Sequence, residues 1–440
     1  MTQMQDRAEQ KQTMAACRIA VIGGGAAGMT AASEAAYLGA DVTLYEKNPK
    51  LGKKLAITGK GRCNITNDCT ANEFLQSVPT NPRFLNSAIY GFTPEDTKQL
   101  FEGLGVPVKT ERGNRVFPVS DNAHDVVNAL ESRVRDAGVH IRHEKVTRVV
   151  TTANDEVTPT NAGGAERVAG IETSGGGGVI PYDAVIVCTG GLSYPGTGST
   201  GDGYRFARSA GLDVTPLHPS LVPIVCRESF CAEMMGLSLR NTALRITLGE
   251  SKTVVYEDFG EMLFTHFGVS GPMILSASAH LDKSRIGEYV LHLDLKPALD
   301  EKTLDSRILH DFGAALNKNF SNVIGGLVPQ KMISVITRMS GISPDEKCNS
   351  ITKEQRRGLL SALKDFRIHT KGFRPIDEAI VTSGGVSVKE LSPKTMESKK
   401  VRGLYFAGEV IDVDAYTGGF NLQIAFSTAM AAAHAAAYSI

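Results

Sequence analysis

The sequence offers no cysteine pattern of the kind that staples or metallates a small fold. Its seven cysteines are Cys17, Cys63, Cys69, Cys188, Cys226, Cys231 and Cys348. The count is odd and no two are spaced C-x-x-C, which argues against a disulfide framework or a zinc knuckle and fits a reducing cytosol. No metal site is expected. There is no run of about 18 apolar residues, so no membrane-spanning helix is expected. The first sixteen residues are polar and mixed in charge. They lack the apolar core of a signal peptide, and residues 1–17 are read as a flexible tail on a cytoplasmic protein. Charge of a dominant sign is missing too: Lys+Arg and Asp+Glu both number 47, a net charge of zero. That balance gives no electrostatic reason to expect nucleic acid or a membrane as partner, and a small-molecule substrate is expected instead. With 42% hydrophobic and 21% charged residues in 440, the chain is a folded globular one with room for two or three domains.

What is present begins at Arg18-Ile-Ala-Val-Ile-Gly-Gly-Gly-Ala-Ala-Gly28. The apolar run Ile19 to Ile22 reads as a buried parallel strand. It feeds Gly23-x-Gly25-x-x-Gly28, then an alanine-rich helix from Ala26 to Leu38, then a second strand from Asp41 to Tyr45 closed by Glu46. Each glycine serves a physical purpose. Gly23 permits the tight turn, Gly25 the close approach to a pyrophosphate, and Gly28 the packing of helix on strand. The start of the helix, with Ala26 and Ala27, offers N–H groups and a partial positive charge to phosphates. Glu46 suits ribose hydroxyls and would repel a ribose phosphate, which disfavours NADP here. Sitting at a strand end, Glu46 is expected to be dispensable for folding. The whole pattern predicts dinucleotide binding and leaves FAD and NAD unresolved.

Three further segments favour FAD. Lys47 is followed by Leu51-Gly-Lys-Lys54-Leu-Ala-Ile-Thr58-Gly-Lys-Gly61-Arg62-Cys63-Asn64, a stretch rich in glycine, cations and hydrogen-bond donors. Ala184-Val-Ile-Val-Cys-Thr189-Gly190-Gly is another buried strand ending in a glycine turn. The region before it, about 146 to 182, carries short strand-like pieces with turns at Gly163-Gly164 and Gly175 to Gly178, which suits a small β-meander opened by Val146. Near the C-terminus, Gly403-Leu-Tyr-Phe-Ala-Gly408-Glu409 reads as a strand, and Gly419, Asn421 and Leu422 open a last alanine-rich helix. FAD needs this distant second strand–turn–helix because its ribityl chain and ring extend beyond the ADP half. The helix start can stabilise negative charge on the pyrimidine end of a reduced flavin.

Four longer stretches are more specific than the glycine motif: Ile57-Thr-Gly-Lys-Gly-Arg-Cys-Asn-Ile-Thr-Asn67, Phe264-Thr-His-Phe-Gly-Val-Ser-Gly-Pro272, Val381-Thr-Ser-Gly-Gly-Val386, and Gly408-Glu-Val-Ile-Asp-Val-Asp-Ala-Tyr-Thr-Gly-Gly-Phe-Asn-Leu-Gln423. With them the chain, from Arg18 to its last helix, resembles the BaiN/RdsA-type NAD(P)/FAD-dependent oxidoreductases, flavoproteins near the glutathione-reductase and fumarate-reductase groups. One departure is Ala429, where the family more often has glycine. The resemblance implies an α/β protein: a Rossmann-like FAD-binding domain of glutathione-reductase type, interrupted by an insert made of a β-rich, barrel-like piece and a helical piece. It also implies a backbone contact from Val146 to adenine. The expected boundaries are 18–191 and 373–440 for the FAD domain and 192–372 for the insert.

The residues themselves support the insert. Leu244, Ile246 and Leu248 alternate with Arg245 and Thr247, and Tyr289, Leu291, Leu293 and Leu295 alternate with Val290, His292 and Asp294; both read as half-buried strands. Residues 303–319, 329–339 and 353–366 read as helices. The basic stretch Lys353 to Arg374 is interrupted by Glu354 and Asp365 and reads as a solvated helix face.

The flavin carries the chemistry and the protein positions and tunes it. Cofactor contacts are assigned to Gly23, Gly25, Ala26, Ala27, Gly28, Glu46, Lys47, Lys54, Thr58, Gly61, Arg62, Cys63, Asn64, Val146, Thr189, Gly190, Gly408, Glu409, Gly419, Asn421 and Leu422. Cys63 reads either as a packed thiol or as a redox thiol. His266 is the candidate catalytic acid; the alternative is a structural histidine bonded to backbone. The function expected is an FAD-dependent oxidoreductase acting on a small organic substrate or oxygen, with NAD(P)H as a transient donor. A tRNA-modifying flavoenzyme and a non-catalytic redox sensor are the alternatives.

Overall fold

The computed structural model describes residues 16–152, 166–251 and 253–438. Most of the expected tail, and the Gly163-Gly164 turn, lie outside these residues. Cys17 does not belong to a tail: it is buried, with its thiol 3.5 Å from the Ala436 carbonyl. The chain divides into two compact units. One comprises residues up to His218 together with Val381 to the end; the other runs from Pro219 to Ile380.

The first unit is built on a five-stranded parallel sheet. From one edge its strands are Leu404–Phe406, Ala184–Val187, Arg18–Ile22, Asp41–Tyr45 and His140–Arg142. Ile19 to Ile22 pair with Ala184 to Val187 on one side and with Val42 to Tyr45 on the other. Apolar runs flanked on both sides are what a buried parallel strand requires. The helices Ala26–Tyr37, Ala123–Asp136 and Phe420–Ala437 pack together, and a three-stranded antiparallel meander, Val146–Thr151, Val168–Thr173 and Ile180–Pro181, makes a separate sheet. The Gly175 to Gly178 run is the turn of its second hairpin. The last helix is buried along nearly its whole length, which only small side chains such as its alanines allow.

The second unit holds a closed six-stranded barrel in the order Ile224–Cys226, Gly268–Ser270, Val254–Thr265, Ser238–Leu248, Tyr289–Asp294 and Phe366–Phe373. It also holds the helices Glu301–Gly313, Ile333–Ser340 and Lys353–Lys364. Its core is distinct from that of the first unit.

Two details depart from expectation. The strand Tyr289–Asp294 is buried on both faces. Its polar member, His292, is held between Thr247 Oγ1 at 3.0 Å and the Asp365 carboxylate at 2.7 Å, so the alternation of residue types does not mark a solvent face. The helix expected over 303–319 stops at Gly313, and turns follow.

The unit boundaries also fall elsewhere than 192 and 372. The helix Asp202–Ser209 contributes Tyr204, Phe206 and Ala207 to the same core as Val187, which keeps residues 192–218 in the first unit. At the other end, Phe366–Phe373 is a barrel strand with Phe373 opposite Ile224, and the Ile380 amide donates to Leu221. That segment therefore stays with the barrel.

Candidate cofactor site

In a parallel sheet all strands end on one edge, and four of the segments singled out in the sequence follow those ends. After Ile22 the Gly23 amide donates to Tyr45 O at 2.8 Å, and the helix starts behind Gly25, which no side chain caps. A Cβ on Gly28 would lie 1.7 Å from the Gly23 carbonyl oxygen, so only glycine lets helix and turn meet here. At Gly25 a Cβ would meet no protein atom within 4 Å. The turn is therefore open toward whatever lies in front of the uncapped amides of Ala26, Ala27 and Gly28. An open glycine at an uncapped helix start is a cradle for phosphate.

Glu46, which ends the second strand, is buried. Its Oε2 accepts from the Gly24 amide at 2.7 Å, and its Oε1 accepts from both the backbone and the side-chain amide of Asn48, each at 2.7 Å. The carboxylate is thus fixed before any ligand meets it, and it is part of the fold rather than a dispensable strand end. Lys47 donates to Thr200 Oγ1 at 2.5 Å and Asp202 at 2.6 Å. Lys54 donates to Ser193 Oγ at 2.7 Å and to Glu409 at 2.5 Å, and Glu409 also accepts from Ser193 Oγ and from the Thr382 amide, both at 2.9 Å. Glu409 follows Gly408, whose amide donates to Thr428 at 2.9 Å. Thr189 and Gly190 lie beside this group: a Cβ on Gly190 would touch Ser199 Oγ at 2.8 Å, and the buried Thr189 hydroxyl has no partner among the described residues. Val146 is buried at the first position of the meander, next to Lys145 and Thr147, which meet Asp202 and Arg205.

Asn64, at the end of the Thr58–Asn64 segment, reaches the start of the last helix. The Asn64 side-chain oxygen accepts from the Gly419 amide at 2.9 Å, with its NH2 3.1 Å from the Val116 and Thr66 carbonyls. Thr66 Oγ1 donates to Gln423 at 2.6 Å. A Cβ on Gly419, at φ +96°, would lie 2.2 Å from the Thr66 carbonyl oxygen. The helix Phe420–Ala437 has no side-chain cap, so its first-turn amides, Leu422 included, point outward unpaired by a cap. Asn421 does not face outward: its side chain brackets Ala415, accepting from the Ala415 amide and donating to its carbonyl, which clamps the preceding loop.

Gly59, Lys60 and Gly61 form a left-handed turn, at φ of +56°, +60° and +82°. A left-handed lysine is strained, and such strain concentrates where a loop has a job. Thr58 Oγ1 bonds the Leu55 carbonyl. The Arg62 guanidinium stacks on Phe117 at 4.1 Å and pairs with Glu111 and Asp121, which commits it to a protein network. Cys63 is fully buried, and burial pushes its thiol up to about 12, which fits a packed thiol better than a redox one. Ser193, Thr382, Asn48 and Asp202 were not legible as site residues. Ser193 and Thr382 reach Glu409 from far along the chain, and no local spacing announces that.

A family model described as the HI0933-like protein Rossmann domain matches residues 17–435. The chain belongs to the HI0933-like family. It is an FAD-dependent oxidoreductase with a Rossmann-type nucleotide domain. A ribosomal RNA dihydrouridine synthase of Escherichia coli is 32% identical over 94% of this chain and 96% of that one. A 3-dehydro-bile acid delta(4,6)-reductase of Clostridium scindens is 31% identical over 96% and 99%. The fold is shared with a 3-ketosteroid delta1-dehydrogenase from Sterolibacterium denitrificans, at 12% identity and TM-score 0.52, over 96% of this chain and 99% of that one. The residues present fit the family's cofactor: a glycine turn at an uncapped helix start, a fixed strand-end carboxylate and a second uncapped helix start lie in one unit, as an FAD of two halves requires.

His266 lies in the second unit, in the turn between the strands Val254–Thr265 and Gly268–Ser270. It is exposed, and its ring makes no hydrogen bond to the described residues, only an edge contact with Phe267 at 5.0 Å. The backbone-bonded structural histidine is therefore not what the geometry shows. Arg374, and more weakly His266, hold the neighbouring Glu378 carboxyl below its usual range. Among the described residues no helix is long and apolar enough to cross a membrane.

Proposed function

We propose that this protein reduces a carbon–carbon double bond conjugated to a carbonyl, that NAD(P)H is its transient donor, and that its substrate is a uracil ring in ribosomal RNA. One observation carries the reading: a complete dinucleotide cradle and a second uncapped helix start sit in the same unit, in a chain that aligns end to end with two reductases. The relatives' names describe different molecules with one reactive group in common. Uridine and a 3-oxo-4,6-diene each place a double bond next to a carbonyl, so hydride is accepted at the far carbon and a proton at the near one. When bound and reduced by the nicotinamide donor, FAD would supply the hydride. Glu46 holds the ribose, the amides of Ala26 to Gly28 hold the pyrophosphate, and the start of the last helix stabilises negative charge on the pyrimidine end of the ring. His266 is proposed as the proton donor. With one nucleotide fold among the described residues, the nicotinamide donor docks and leaves.

The RNA assignment departs from what the balanced charge suggested. It rests on the ribosomal RNA relatives from Escherichia coli and Haemophilus influenzae, each 32% identical. The test is anaerobic. The purified holoprotein is reduced with NADH or NADPH, then mixed with unmodified ribosomal RNA or with a 3-oxo-4,6-diene steroid. Expected are bleaching by a nicotinamide donor, return of colour with the RNA, and a gain of two hydrogens at a uridine by mass spectrometry. Return of colour with the steroid alone would overturn the RNA assignment. Failure to bleach with either donor would overturn the role of NAD(P)H.

A further inference from the structure

The segment from Ser193 to Asp202 is tied at both ends to residues assigned to the cofactor. At one end Ser193 sits between Lys54 and Glu409, at 2.7 and 2.9 Å. At the other, Asp202 pairs with Lys47 at 2.6 Å, with Arg205 at 3.0 Å and Lys145 at 3.9 Å behind it. Between these ends the segment lies on the stretch that follows Glu46. The Asn48 amide nitrogen donates to the Thr197 carbonyl at 3.1 Å while also donating to Glu46 Oε1, and Lys53 donates to the Gly196 carbonyl at 3.0 Å. The approach is close enough to need a glycine. A Cβ on Gly198, at φ +111°, would lie 2.5 Å from Asn48 Nδ2.

The ribose acid is therefore one side chain away from a strap that borders the cradle from Glu46 to Glu409. Ser193 and Ser199 are buried and the Gly201 amide donates to the Gly191 carbonyl at 3.2 Å, while the outer part of the strap, Tyr194, Pro195, Gly196 and Thr200, is exposed. Nothing in the dinucleotide motif calls for it, and an exposed stretch tied to its neighbours mainly through side chains opens more readily than the sheet beneath it.

We propose that the Ser193–Asp202 strap is a latch on the nucleotide cradle, caught by Lys47–Asp202 and Asn48–Thr197, and that it sets how long the dinucleotide stays. Asn48 and Asp202 are positioning residues in this scheme: Asn48 fixes both the strap and the Glu46 carboxylate, and Asp202 fixes Lys47. The proposal rests on the cradle being an FAD site. Because Lys47 and Asp202 are partly exposed, their attraction is screened by salt.

The test uses the holoprotein and follows the rise of FAD fluorescence after dilution into excess unlabelled competitor, ADP-ribose, at several salt concentrations. Asp202→Asn keeps the size and removes the catch; Asn48→Ala releases the other point and serves if the first variant does not fold. Release of FAD is expected to quicken about tenfold in either variant. It should also quicken with salt in the wild type, and lose that salt dependence in Asp202→Asn. Release rates equal to wild type in both variants would overturn the latch while leaving the FAD site intact. A holoprotein that contains no FAD and binds none would overturn the cofactor reading instead.

Discussion

Replacing Glu46 by alanine tests the nucleotide cradle and the fold together. Three donors converge on this buried carboxylate, from Gly24 and twice from Asn48, all at 2.7 Å. A hydrogen bond to a charged group contributes about 1.5–3 kcal/mol, and a buried donor left unpaired costs about 1–3 kcal/mol. The Asn48 donors are only partly buried and can turn to water. The Gly24 amide cannot, so the loss of stability is set mainly by that bond, at roughly 2 kcal/mol. For a unit of this size that lowers Tm by about 3–4 °C. With Glu46 in its proposed role on the ribose, FAD binding should weaken by about 1–3 kcal/mol, roughly 5- to 150-fold in Kd. Thermal unfolding of the FAD-free protein reads the first quantity, and fluorescence titration with FAD reads the second. Glu46→Gln keeps an oxygen for Gly24 and should recover most of the stability but only part of the affinity. An unchanged Tm and Kd in Glu46→Ala would refute the reasoning.

Other outcomes follow from single contacts. Gly25→Ala meets no protein atom and should keep its native Tm while losing FAD affinity, whereas Gly28→Ala drives a methyl into the Gly23 carbonyl and should lose both; Tm and bound-flavin absorbance separate the two. Burial would raise the Glu34 carboxyl, but hydrogen bonds from Arg133 and His434 outweigh it and hold it below the usual range. Its contribution is therefore present above the unfolded value of about 4.3 and fades as pH falls through the lower folded value. Glu34→Gln should be less stable than wild type at neutral pH and should converge with it in acid, as followed by denaturant unfolding at each pH. His266→Asn should slow substrate reduction about 10²-fold or more while leaving FAD binding and reduction by the donor unchanged, measured as separate half-reactions by rapid mixing.

Much of the nucleotide domain was legible because its signals are local. Ile19 to Ile22, the glycines behind them, and Glu46 lie within one strand–turn–helix–strand, so spacing alone places them. The strands at 184–187 and 404–406 were found by apolar runs ending in glycine, and they pair in the expected sheet. The unit boundaries were harder. Nothing local tells that Tyr204 and Phe206 pack beneath Val187, or that Phe366–Phe373 closes a barrel, since both are decided by partners far along the chain. The same holds within the site. Arg62 has the composition of a phosphate ligand, yet Glu111 and Asp121 claim it across a hairpin. Asn421 sits at a helix start but turns back on Ala415. Residue type and position predict which atoms are available in principle; tertiary pairing decides which remain free.

The central claim is that the cradle from Gly23 to Glu46, completed by the C-terminal strand and helix, holds FAD. It is tested most directly by denaturing the purified protein and identifying the released cofactor by chromatography, with the flavin quantified against the chain. The expected result is FAD, close to one per chain, and uptake of FAD by protein that has been stripped of it. Release of FMN in its place, or a colourless protein that takes up no FAD, would contradict the account.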